Sequence, residues 1–129
     1  MNNHTGKELQ LMLEDKKPLS MFYDDADAEP DERIIPEREF TNLVEDGRFS
    51  KAERIFEVAY DPRIGRNRRV RYVLYCLKGE EWRLEAMFLV KKAVQKTPDY
   101  DEGLGRMTGY LLGYTDDEVE AYIASRTKG

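Results

Sequence analysis

The sequence predicts an α+β protein: a small antiparallel or mixed sheet packed against about five helices, with a helical C-terminal half. Two runs with apolar residues at every second position predict a hairpin at about 53–77. Three helical stretches, separated by proline and glycine, fill the chain beyond it. With 129 residues, 40% hydrophobic and 36% charged, the chain has the size and composition of one compact domain, 1–129, with a core of its own.

From the N-terminus, Thr5 and Glu8 have the Thr-x-x-Glu spacing of a capping box. A short helix over 6–15 follows, with Leu9, Met12 and Leu13 on one face. Pro18 interrupts helical pairing, and Leu19-Ser20-Met21-Phe22-Tyr23 reads as a brief strand, about 19–23. The segment 24–32 carries six carboxylates and a proline, the composition of a solvated acidic loop. Pro36 suits a first helical turn, Phe40, Leu43 and Val44 share a face, and Gly47 closes that helix.

In the hairpin, Phe56, Val58 and Tyr60 alternate along one strand and Val70, Tyr72, Leu74 and Cys76 along the other, joined through 61–67. The stretch 80–96 is the most apolar helix candidate. Its residues Trp82, Ala86, Leu89, Val90, Ala93 and Val94 mark a stripe expected to face the core, which puts Trp82 and Leu89 inside. Thr97-Pro98 ends it. Asp99 is the expected cap of the next helix, which carries Leu104, Met107, Leu111 and Leu112 and stops at Gly113. Thr115 and Glu118 form a second capping box, with three carboxylates at the positive end of the last helix. The expected layering puts all helices on one face of the sheet.

Charge is distributed unevenly. The first fifty residues hold 13 acidic and 6 basic side chains, the next fifty 7 and 12, and the remainder 6 and 3. Five arginines, Arg63, Arg66, Arg68, Arg69 and Arg71, crowd the hairpin tip and the following strand, and a separate acidic loop carries Asp24, Asp25, Asp27, Asp31 and Glu32. These ten residues are the candidate partner-binding positions. Guanidinium forks with nearby Tyr72 and Tyr75 suit nucleic acid, whereas a pI near 5.0 favours a protein partner or pairing of the arginines with the chain's own carboxylates.

No residue pattern marks a catalytic, cofactor or metal site. The lone His4 stands in an end expected to fray, and one imidazole cannot build a histidine triad or most transition-metal sites. Cys76 falls on the apolar side of its strand, where a thiol behaves as a small hydrophobe. Asp24, Asp25 and Asp27 lack the glycine and terminal glutamate of a calcium loop. The glycines at 105, 109 and 113 suit close helix packing rather than phosphate binding.

A single cysteine and no long apolar run predict a cytoplasmic protein that makes no membrane contact. The expected role is that of a small non-catalytic protein binding a macromolecular partner, as an accessory, regulator or inhibitor. A nucleic-acid module using 63–71 is the alternative, and a small acid–base enzyme using carboxylates and tyrosines the third reading.

Overall fold

Residues 4–127 are described in a computed structural model. Three strands, β1 (Leu19–Asp25), β2 (Phe49–Asp61) and β3 (Arg66–Leu77), form one antiparallel sheet in the order β1-β3-β2. Strand β3 is therefore central, and Val73, Leu74, Tyr75 and Cys76 are all buried. A central strand buried on both sides reads as a continuous apolar run, because each parity of its side chains meets a different layer.

Those layers correct the one-sided arrangement expected from sequence. On one face, Val73, Tyr75 and Phe49 pack with α1 (Glu8–Leu13) and α2 (Glu37–Glu45) through Met12 and Phe40. The Phe40 ring stacks on Tyr75 at 4.2 Å, and Phe22 meets Phe40 edge-on at 5.7 Å. On the other face, Leu74, Cys76 and Leu19 pack with α3 (Trp82–Lys96) and α4 (Glu102–Leu112) through Met87, Phe88, Val90 and Leu111. The last helix, α5 (Asp116–Thr127), closes over Tyr114 with Val119 and Ile123. The α+β class, the hairpin and the helical C-terminal half stand as read.

Several boundaries differ from expectation for local reasons. Helix α1 starts at Glu8 with no side-chain cap, so Thr5 does not complete a capping box. Helix α4 is capped by Asp101 rather than Asp99: the Asp101 carboxylate accepts from the Leu104 amide at 2.9 Å. Strand β2 begins earlier than expected, at Phe49, and shifts register between Glu57 and Tyr60, which leaves Tyr60 exposed. The hairpin turn shrinks to four residues, with Asp61 carbonyl accepting from both Ile64 and Gly65.

The capping box at α5 is present as spelled by the sequence. The Thr115 amide donates to Glu118 Oε1 at 2.8 Å, and the Glu118 amide to Thr115 Oγ1 at 3.2 Å. Just before it, Gly113 turns the chain at φ 86°, where any added Cβ would also collide with the Pro18 ring. At Gly105 an added Cβ would lie 2.5 Å from the Tyr100 hydroxyl oxygen and 3.2 Å from Ile123 Cδ1, so the missing side chain lets both the Tyr100 ring and α5 approach α4.

Candidate functional site

The acidic loop and the arginine strand meet each other. Asp27 accepts from Arg66 at 2.7 Å and from Arg69 at 3.1 Å, and Asp25 lies 3.8 Å from Arg68. The β1–β3 register causes this: it sets Asp24 opposite Arg71 and Asp25 opposite Val70, so the loop leaving β1 folds back along the basic strand. Arg63 forks onto Asp61 at 3.0 and 3.1 Å, and Arg71 bridges Glu37 of α2 at 3.0 Å and Glu53 of β2 at 2.5 Å. Asp31 and Glu32 lie outside this network. Asp31 pairs with Arg33, and the Glu32 carboxylate accepts from the Arg38 amide in the first turn of α2.

Electrostatics follow the pairing. Hydrogen bonding from Arg66 holds the Asp27 carboxyl below its ordinary range, that from Arg63 does the same for Asp61, and that from Arg71 for Glu37. The five arginines thus spend much of their charge on carboxylates of their own chain. That belt ties the loop, the hairpin and α2 together.

The second surface was missed by sequence reasoning. Trp82 and Leu89 are 52% and 61% exposed, which corrects their expected place in the core. On α4, Met107 and Tyr110 are 53% and 60% exposed. These four side chains, with Ala86, Val90, Ala93 and Leu104, line an apolar groove of about 570 Å³ along the seam of α3 and α4. The side of α3 that meets the sheet carries Met87 and Phe88 instead.

Arg83 organises one end of this groove. Its guanidinium lies 4.6 Å from the Trp82 ring centre and 5.5 Å from that of Tyr110. It donates to Glu80 at 2.8 Å and to the carbonyls of Tyr110 and Leu111, each at 3.1 Å. Two of the last carbonyls of α4 are thereby satisfied by a cation at the negative end of the helix dipole. Lys17 serves a third, donating to Leu112 carbonyl at 2.9 Å.

Around Lys17, the His4 ring stacks on Tyr114 at 3.8 Å, and its Nδ1 lies 2.9 Å from the Lys17 ammonium. His4 is therefore packed, contrary to the frayed end expected of it. Burial first, and the Lys17 charge next, push its pKa down to about 4. Lys17 is itself pushed down to about 8, by burial.

The other reactive groups are held in their protonated forms. Burial, then Glu81, pushes the Cys76 thiol up to about 11, and burial pushes the Tyr72, Tyr75 and Tyr114 phenols upward. Among the described residues, no group of three His, Cys, Asp or Glu is arranged to hold a metal ion, and no helix is long and apolar enough to cross a membrane. Protein-family models, curated proteins and solved structures gave no match to the chain.

Proposed function

We propose that the protein acts by contact rather than by catalysis, and that the groove between α3 and α4 receives an amphipathic helix of a protein partner. The observation that carries this reading is the exposure of Trp82, Leu89, Met107 and Tyr110 on one continuous face. Tryptophan, tyrosine and methionine are residue types enriched where proteins meet, and the two aromatics are typical of the few positions that dominate binding. Two adjacent helices present a trough into which a third can lay an apolar stripe. The groove's own wall is braced, since Arg83 fixes both aromatic rings.

The charged belt supports the same direction. With Arg66 and Arg69 engaged by Asp27, and Arg71 by Glu37 and Glu53, the basic strand offers nucleic acid fewer free cations than its sequence suggests. The same pairing occupies Asp25 and Asp27, so only the loop's remaining carboxylates are suited to steering a partner.

The test is affinity capture from the cells that make the protein, comparing wild-type bait with Leu89→Glu and with the triple variant Arg66→Ser, Arg68→Ser, Arg69→Ser. A protein retained by wild type and by the triple variant, but lost with Leu89→Glu, is the expected result. Nuclease-sensitive capture that depends on the arginines would favour nucleic acid instead.

A further inference from the structure

We propose that this face is covered by the same face of a second copy, with α3 packing antiparallel on α3 across a twofold axis at Leu89 and α4 lying beside its counterpart. The inference rests on the reading of the α3–α4 face as a helix-binding surface and names the occupant. Along the exposed line of α3, Trp82, Leu89 and Lys96 recur at intervals of seven, the repeat of a helix–helix seam. Toward α4 this line is flanked by Ala86 and Ala93, which line the groove. On its other side stand Glu85, whose exposed carboxylate accepts from Arg54 of β2 at 3.0 Å, and Lys92.

The charges divide between the two halves of that face. Glu85 occupies the N-terminal half, Lys92 and Lys96 the C-terminal half, and among the described residues neither lysine has an ion-pair partner. A twofold axis perpendicular to α3 reverses the helix and keeps each flank on its own side. Leu89 then meets its own copy, Ala86 meets Ala93, Glu85 meets Lys92, and Trp82 meets Lys96. Each unlike contact occurs twice. The small pair lets the helices approach, while Lys96 reaches the Trp82 ring face not taken by Arg83. A parallel pairing exchanges the flanks and sets Glu85 and Lys92 against the alanine side of the other copy, where neither finds an opposite charge, so the charge pattern favours the antiparallel one.

Sedimentation velocity of the full chain over a concentration series tests this. Wild type should show a monomer–dimer equilibrium, and Leu89→Glu, which places two carboxylates at the axis, should weaken it at least about tenfold. Glu85→Lys and Lys92→Glu should each weaken the dimer, and the two together on one chain should restore it. Circular dichroism should remain that of wild type throughout, because all three positions are exposed. A double variant no tighter than the singles would overturn the antiparallel pairing, as would a dimer indifferent to Leu89→Glu. A monomeric wild type whose capture of another protein still depends on Leu89 would overturn the second copy alone. A monomeric wild type with capture unchanged by Leu89→Glu would overturn the groove reading as well.

Discussion

Lys17 shows how a single side chain couples the N-terminal segment to the end of α4. It is 2% exposed and donates to Leu112 carbonyl, yet burial lowers its pKa to about 8 from an ordinary 10.5. The fold therefore binds this proton less tightly than the unfolded chain does. The resulting penalty is full below pH 8 and is relieved as pH rises toward 10.5, by up to about 3 kcal/mol. Urea melts between pH 7 and 10.5 should show wild type gaining stability relative to Lys17→Met, and a constant difference would contradict the assignment. Arg83 works at the same terminus. Arg83→Ala should cost about 1–3 kcal/mol, because the Tyr110 and Leu111 carbonyls lose charged donors, and Arg83→Lys should recover only part of it since an ammonium lacks the planar fork. Thr115→Ala should cost about 1 kcal/mol through the loss of a helix cap, measurable in the same melts.

At the scale of elements, α3 separates what the sequence states from what it leaves open. Apolar residues lie nearly all round this helix, from Trp82 and Leu84 through Met87, Phe88, Leu89 and Val90, so periodicity alone offers two stripes. The sheet takes Met87 and Phe88, and Leu89 faces out. Met87→Ala should therefore cost about 2–5 kcal/mol, whereas Leu89→Ala should stay within about 0.5 kcal/mol in monomer melts at low concentration. A helix with two apolar faces in so small a protein is a readable sign that one of them stays exposed. The hairpin and the α5 cap were legible because their signals are local: alternation along β3, and a Thr-x-x-Glu pair three residues apart. Double-sided burial of the sheet was less so, since the parity carrying Val73 and Tyr75 becomes a core only once Met12 and Phe40 arrive from distant segments. The pairing of the acidic loop with the arginines was visible as composition, while its partners depend on the β1–β3 register.

Two surfaces distinguish the whole molecule, a charged belt and an apolar face. The belt joining Asp25 and Asp27 to Arg66, Arg68 and Arg69 holds the loop over the hairpin. The Arg66, Arg68 and Arg69 triple change to Ser should accelerate amide exchange in 24–32 while leaving α3 and α4 protected. Acid should act in the same sense. Asp27 and Glu37 titrate below their ordinary range, so their pairing is intact above it and is lost as pH falls through the lowered values. The apolar face carries the chain's one tryptophan, at position 82, beside the groove. Its emission, recorded from dilute to concentrated protein for wild type and Leu89→Glu, is the most direct measure of whether this face is open in the monomer and covered by contact. Wild type should emit as a solvent-exposed indole when dilute, then shift to the blue and resist acrylamide quenching when concentrated, while Leu89→Glu stays exposed throughout. A blue, quencher-resistant emission at every concentration in both proteins would place Trp82 in the core and contradict the account.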